Sequence, residues 1–107
     1  MSDLSVIAGI PGVRSAVLGD LEGTFLEAAG EVDGEAVAAE MGFVSSTLAE
    51  VGEALGLGAL RLVSAGGAAR ASVVVLRAGK VIAARVEPAR ALAAVEKAID
   101  TSFQEWT

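Results

Sequence analysis

The longest regular pattern of apolar residues lies in the middle of the chain and has the period of a helix. Asp33 before the pattern is a suitable N-cap, and Gly56 and Gly58 after it are suitable stop signals. We therefore predict a helix of about six turns between them, with one apolar stripe packed against a core. The stripe consists of residues spaced three and four apart: Val37, Met41, Val44, Leu48, Val51 and Leu55.

The segment before this helix predicts a short helix followed by a hairpin. A brief amphipathic pattern covers residues 3–9. Apolar and β-branched residues follow at 13–18 and again at 25–28, and between them residues 19–23 read GDLEG, a string of turn-forming residues. We expect two antiparallel strands joined by that turn.

The segment after the long helix predicts three further strands and a closing helix. Residues 60–65, 71–76 and 80–86 are rich in β-branched side chains and are separated by turns that contain glycine. The run VVVL at 73–76 is apolar on both faces, as in a strand that is covered on both sides or covered by a partner. Pro88 suits the first turn of a helix. The stripe of that helix is Leu92, Val95, Ile99, Phe103 and Trp106.

The chain of 107 residues has room for one domain, residues 1–107. Its apolar fraction is 53%, but Gly, Arg, Ser or Glu interrupts every run before the roughly 18 to 20 residues that a membrane span needs. Asp3 places an acid where a secretion signal is basic, so we predict a cytoplasmic protein without a membrane span. A composition rich in Ala, Gly and Val and poor in Lys favours a prokaryotic source.

The net charge of −6 is distributed unevenly. Residues 1–58 hold ten acids and the single base Arg14, which gives −9, and residues 59–107 hold four acids and seven bases, which gives +3. An acidic first half does not suit a phosphate backbone, and the bases of the second half are scattered, so we expect no nucleic-acid partner. The asymmetry is compatible with solubility alone and with the steering of a partner.

The chain lacks the residues on which much enzyme chemistry depends, because it has no Cys and no His. Gly79 and Lys80 resemble the end of a phosphate-binding loop, but Val81 stands where Ser or Thr would hold magnesium. Asp20 and Glu22 are close enough to bind a cation or to act as acid and base, yet we favour a role in a tight turn. We predict no catalytic, cofactor-binding or metal-binding residue and no enzymatic activity.

Phe43 interrupts the polar side of the long helix. On a helical wheel it lies about 115° from the centre of the apolar stripe, on the flank or the outside of the helix. Small side chains around it would let a second helix approach closely. A single exposed Phe is ordinary on a surface, but we favour contact with a partner. The neighbours of Phe43 on this side are Ala36, Ala39, Ser46, Glu50 and Ala54.

Two short motifs and the order of the predicted elements carry a family resemblance. Residues 10–18 read IPGVRSAVL, and residues 20–23 read DLEG. Residues 55–60, at the exit of the long helix, read LGLGAL. In this spacing and element order the chain resembles the roadblock/dynein light-chain family over nearly its whole length.

The resemblance implies an α+β fold of order α-β-β-α-β-β-β-α. In that fold a five-stranded antiparallel sheet carries the long helix on one face and the two terminal helices on the other. The resemblance also implies a homodimer whose sheets join edge to edge through the third strand and whose long helices lie side by side. We expect the dimer interface at Ala39, Phe43, Ser46, Thr47, Glu50, Leu60, Arg61, Leu62, Val63 and Ser64.

The resemblance further implies a small Ras-like GTPase as partner, whose nucleotide cycle a non-catalytic dimer would modulate, as an activator in some members. We expect the GTPase to contact the outward face of the long helix, at Ala36, Glu40, Phe43 and Glu50. The alternative is a scaffold subunit that pairs with other roadblock proteins without affecting nucleotide turnover. A small-molecule sensor ranks last, because the predicted core offers no polar groups for a ligand. We expect no cofactor.

Overall fold

The computed structural model describes residues 3–30, 33–58, 60–77 and 79–103, without the side chains of Phe43 and Ser45. Helices and strands follow one another in the predicted order. They are α1 (Asp3–Ala8), β1 (Val13–Asp20), β2 (Phe25–Ala29), α2 (Gly34–Ala54), β3 (Leu62–Gly66), β4 (Ala71–Arg77), β5 (Lys80–Val86), a 3-10 turn (Ala89–Ala91) and α3 (Leu92–Ser102).

The five strands form one antiparallel sheet in the order β2-β1-β5-β4-β3. The sheet carries α1 and α3 on one face and α2 on the other, which confirms the predicted α+β architecture. β2 and β3 are the two terminal strands of the sheet. The chain therefore presents two strand edges, one at each end.

The main core lies between the sheet and the terminal helices. Alternate residues of the strands point to this face, and they meet the apolar stripes of α1 and α3. Burying each side chain of this size contributes about 1.5–3 kcal/mol of transfer free energy. The largest fully buried members are Leu4, Ile7, Val73, Val75, Val86, Val95 and Ile99. Trp106, which was predicted to extend the stripe of α3, lies outside the described residues.

The prediction that 73–76 is covered on both sides is confirmed for the centre of β4. Val73 and Val75 face the terminal helices and are fully buried, and Val74 on the opposite face is only 9% exposed. The predicted start of β3 was two residues too early, since the strand begins at Leu62. The backbone N–H of Leu76 still donates to the carbonyl of Arg61, so the residue before β3 already follows β4.

The ends of α2 are as predicted. The Asp33 side chain accepts a hydrogen bond from the backbone N–H of Ala36 at 3.2 Å and so satisfies one free donor of the first turn. Gly56 adopts a φ of +71° just after the helix, a conformation that glycine reaches without strain. These local signals fix where the helix starts and stops.

The prediction that the α2 stripe packs into the core is wrong. Val51 is 41% exposed and Leu55 is 67% exposed, and the other four stripe residues are only half-buried. The residues of α2 that are buried are small: Ala38, Gly42 and Gly52. At about 100° per residue, their side of the helix is roughly a quarter turn away from the stripe.

Close packing explains why α2 turns its small residues to the sheet. A Cβ added to Gly19 of β1 would lie 3.2 Å from the Cβ of Ala38, and one added to Gly42 would lie 2.6 Å from the Cα of Gly23. The helix and the sheet approach so closely that larger side chains do not fit between them. The apolar stripe is therefore left on a flank of the helix.

Arg77 at the end of β4 joins the two terminal helices. Its Nε atom lies 3.3 Å from Oδ2 of Asp3 in α1. Its guanidinium carbon lies 4.6 Å from the centre of the Phe103 ring, which follows α3. The ion pair and the cation–π contact fix the ends of α1 and α3 to the same strand.

Candidate interaction surfaces

The first candidate surface is the β3 edge of the sheet. In the described part of the chain β3 pairs with β4 alone, so its outer side presents backbone N–H and C=O groups that a further strand can bind. Leu60, Leu62 and Val63 are half-buried there, and Arg61 and Ser64 are exposed. The structure thus places Leu62, Val63 and Ser64 in the edge strand, and Leu60 and Arg61 in the segment before it.

Ser64 is engaged within its own chain. Its hydroxyl donates a hydrogen bond to Oε1 of Glu96 in α3, with a donor–acceptor distance of 3.1 Å. This bond turns the Ser64 side chain toward the terminal helices and leaves only its backbone for an edge contact. Val63, one residue earlier, points to the face of α2 because it pairs with Val74.

The second candidate surface is the apolar stripe of α2, which is half-buried from Val37 to Leu48 and exposed at Val51 and Leu55. Val37 and Met41 line a cavity of about 130 Å³ together with Val17, Val74 and Ala83 on the sheet. Since β4 is the neighbour of β3, this cavity lies one strand away from the β3 edge. The stripe therefore leaves incompletely covered apolar surface on the face of the sheet that α2 occupies.

The predicted interface residues of α2 lie on a different side of the helix from the stripe. On the helical wheel they are grouped on the side opposite the buried residues. Those with described side chains are all exposed: Ala36, Ala39, Glu40, Ser46, Thr47 and Glu50. The side chain of Phe43, on which the prediction centred, lies outside the described residues. Their contact with a partner stays a prediction.

The turn between β1 and β2 explains Asp20. Its Oδ1 atom accepts hydrogen bonds from the backbone N–H groups of Glu22 and Thr24, each at 2.9 Å. The bond from Thr24, followed by the bond from Glu22, holds the pKa of the Asp20 carboxyl below its usual value, although desolvation acts in the opposite direction. The interpretation of Asp20 as a turn residue is confirmed.

A larger cavity of about 550 Å³ lies between the C-terminal half of α2 and the hairpin of β4 and β5. Leu21, Leu60 and Leu76 supply its apolar lining. Its charged lining residues are Glu53, Arg77 and Lys80. Among the described residues no group of three or more acids is arranged to hold a metal ion.

A third surface is the β2 edge. Leu21, Phe25 and Leu26 are 48%, 37% and 46% exposed, respectively, and all lie in β2 or in the turn before it. Sequence reasoning missed this surface, because it treated β2 only as half of a hairpin. The signal was present in FLEAA at 25–29, where two large apolar residues stand side by side rather than alternate.

Neither a protein-family model nor a curated protein sequence matches the chain. Solved structures match it over nearly its whole length. MglB of Myxococcus xanthus superposes with a TM-score of 0.71 at 12% identity, covering 95% of this chain and 94% of that one. A roadblock/LC7 domain from Streptomyces avermitilis gives 0.70 at 20% identity, covering 94% and 89%. The gliding protein MglB of Thermus thermophilus gives 0.73 at 14% identity, covering 91% and 79%.

The chain has the roadblock/LC7 fold. The likeness extends along nearly the whole chain at low identity, so it is a likeness of architecture. The resemblance inferred from the IPGVRSAVL and LGLGAL motifs is thereby confirmed. No helix within the described part of the chain is long and apolar enough to cross a membrane.

Two features of this structure were out of reach of sequence reasoning. The rotation of α2 depends on contacts between Gly42 and Gly23, which belong to different elements. The large cavity depends on three segments, represented by Leu21, Glu53 and Lys80, that only the folded sheet brings together. Neither feature has a periodic signature in the chain.

Proposed function

We propose that this chain forms a homodimer and acts as a non-catalytic regulator or adaptor that binds a small Ras-like GTPase and modulates its nucleotide cycle. The observation that carries the proposal is the apolar stripe of α2, which is exposed at Val51 and Leu55, beside a β3 edge that no other described strand pairs. The class of partner, a small Ras-like GTPase, follows from the resemblance of the sequence to the roadblock family.

Dimerisation would pair the open β3 edge and cover the exposed part of the α2 stripe. A second copy paired along β3 would satisfy the open backbone groups of the edge and extend the sheet. It would also cover apolar surface at Val51 and Leu55, which are exposed in the single chain. A stable interface of this kind buries about 800 Å² on each partner.

The outward face of α2 is the proposed GTPase surface. Ala36, Glu40 and Glu50 are exposed there, so the face is small in side-chain volume and acidic. The first 58 residues carry ten acids against one base. Such a field would steer a basic patch of a partner and speed its association.

A regulator of this kind would contribute binding surface and no reacting group. The sequence has neither His nor Cys, and Asp20 is occupied in its own turn. Any change in the rate of GTP hydrolysis would then come from repositioning the catalytic groups of the GTPase itself.

The test combines this protein with the Ras-like GTPase encoded nearest to it. We expect a complex that prefers one nucleotide state in pull-downs, and a changed rate of single-turnover GTP hydrolysis. Glu50→Lys should slow association by about tenfold at low salt, because it reverses a charge on the proposed surface. Asp100→Lys, the same charge change on α3, is the matched control and should bind like the unmodified protein.

The absence of a complex in both nucleotide states would count decisively against the GTPase partner. The alternative function is a scaffold subunit, favoured by the fact that the β3 edge and the α2 stripe would fit any chain of the same fold. That alternative predicts preferential pairing with a different roadblock protein, together with an unchanged rate of GTP hydrolysis.

A further inference from the structure

Among the described residues no strand pairs with the outer side of β2, and the proposed dimer would leave this edge untouched. The strand order places β2 and β3 at opposite ends of the sheet, four strand spacings or about 19 Å apart. Residues 25–28 of β2 are all exposed. In a dimer joined through β3, both β2 edges would remain at the outer ends of the extended sheet.

This edge is only partly protected against strand addition. Of the devices that blunt sheet edges, β2 has a short length, a bulge and the charge of Glu27, but it contains neither Pro nor Lys. Phe25 rests against the start of α2 beside Gly34 yet stays 37% exposed. Leu26 is 46% exposed, and a bulge in the pairing of β1 with β2 leaves it without an opposite residue in β1.

The bulge limits what can bind. Pairing with β1 is regular over Glu27, Ala28 and Ala29. A strand added outside β2 would therefore find only a short regular ladder, and the side chains of Leu21, Phe25 and Leu26 would provide the remaining contact. The site suits a short extended segment better than a whole sheet.

The charge around β2 selects the chemistry of the occupant. Residues 20–35 contain six acids and no base: Asp20, Glu22, Glu27, Glu31, Asp33 and Glu35. Glu27 lies within β2 itself, and Glu22 and Asp33 are exposed close to its two ends. A second copy paired at this edge would bring like charges together, which destabilises cross-strand pairs. A basic segment would be attracted instead.

We propose that β2 receives a short, extended, basic segment of another protein as a sixth strand. The backbone of the segment pairs with the free edge, its apolar side chains contact Phe25 and Leu26, and its basic side chains face Glu22 and Glu27. The inference uses only the β2 edge and does not rest on the GTPase partner or on the dimer.

The test uses two capped peptides of about seven residues, the length of an ordinary strand. One alternates Lys with Val, and the other alternates Lys with Pro. Both carry the same charge, but only the Lys/Val peptide has a complete set of backbone N–H groups for strand pairing. Fluorescence anisotropy gives the affinity, and amide chemical shifts of the isotope-labelled protein give the location.

We expect saturable binding of the Lys/Val peptide, with the largest shifts in β2, and at least tenfold weaker binding of the Lys/Pro peptide. Glu27→Lys should weaken the binding of the Lys/Val peptide by about tenfold, whereas Asp100→Lys on α3 should change the affinity of that peptide less than twofold. If Glu27→Lys does not fold, Glu22→Lys in the exposed turn takes its place.

Equal binding of the two peptides, or equal loss in Glu27→Lys and Asp100→Lys, would reduce the effect to unspecific charge attraction and overturn the proposal. Concentration-dependent polymers that Glu27→Lys alone alters would show that a second copy occupies β2, which also overturns it. None of these outcomes bears on GTPase binding, which is tested separately with the Glu50→Lys variant on the outward face of α2.

Discussion

Gly42 lies where α2 passes over the turn between β1 and β2. A Cβ at this position would lie 2.6 Å from both the N and the Cα atoms of Gly23. Backbone atoms cannot move aside as the end of a flexible side chain can. The absence of a side chain at Gly42 therefore sets how closely the helix approaches the sheet.

We expect Gly42→Ala to destabilise the protein by about 1–3 kcal/mol, because overpacking against backbone outweighs the gain in helix propensity. Urea unfolding monitored by circular dichroism measures the change. Glu53→Ala, at an exposed position of the same helix, is the control and should stay within about 0.5 kcal/mol. A more stable Gly42→Ala variant would mean that α2 is not seated on the turn.

Asp20 is a second single residue that affects stability, and it does so through its charge. Two backbone donors, on Glu22 and Thr24, favour the carboxylate and lower its pKa in the folded state. A group whose pKa is lower in the folded than in the unfolded chain adds stability above its unfolded value, near pH 4. That contribution is lost as the pH falls through the folded pKa.

Asp20→Asn keeps an oxygen acceptor but removes the charge. We expect the variant to have a lower midpoint of thermal unfolding at neutral pH, and the difference from the unmodified protein to narrow below about pH 4. Thermal scans at a series of pH values measure it. A difference that stays constant down to the most acidic pH would show that the charge of Asp20 has no part in the turn.

At the scale of elements, α2 presents two exposed sides with different compositions. The flank with Val51 and Leu55 is apolar, and the outward side with Ala39 and Glu50 is small and polar. Burial of apolar area drives stable association, whereas a polar side suits a reversible partner. We therefore expect a second copy to bind the flank and the proposed GTPase to bind the outward side.

Val51→Glu and Ala39→Glu separate the two sides. Val51 is 41% exposed, so a charge there costs the single chain little, but it would be buried in the dimer. We expect monomers for Val51→Glu and dimers for Ala39→Glu by light scattering coupled to size exclusion. The reverse result would place the interface on the outward side, as the sequence resemblance suggested.

At the scale of the whole molecule, the main core lies on one face of the sheet only. Leu4, Val73, Val95 and Ile99 are almost completely buried there, whereas the buried residues on the α2 face are smaller, namely Val17, Ala38, Val74 and Val81. Less apolar area is buried on the α2 face than on the other. The second copy would therefore contribute to the stability of the fold as well as to its function.

We expect the midpoint of thermal unfolding to rise by roughly 3–5 °C for each tenfold increase in protein concentration, as for a coupled dimer of this size. Differential scanning calorimetry over a hundredfold range of concentration measures it. Val51→Glu should melt at a lower temperature that does not depend on concentration. A constant midpoint for the unmodified protein would mean that the chain folds and remains as a monomer.

The sequence by itself determined the elements and their order. The N-cap of α2 at Asp33, its stop near Gly56 and the turn at Asp20 depend on groups a few residues apart, so local chemistry is enough to place them. The motifs and this order also indicated the roadblock fold. The lack of His and Cys is likewise a property of the chain alone.

Only the tertiary structure decided which side of each element is covered. The apolar stripe of α2 predicted a core face, but contact between Gly42 and Gly23 gave that place to small residues. The surroundings of Leu26 depend on the register of β2 against β1 and on the strand order, which puts β2 at one end of the sheet among the described strands. A periodic pattern shows that a helix or strand has an apolar side, whereas the distance to the next element decides whether that side is buried.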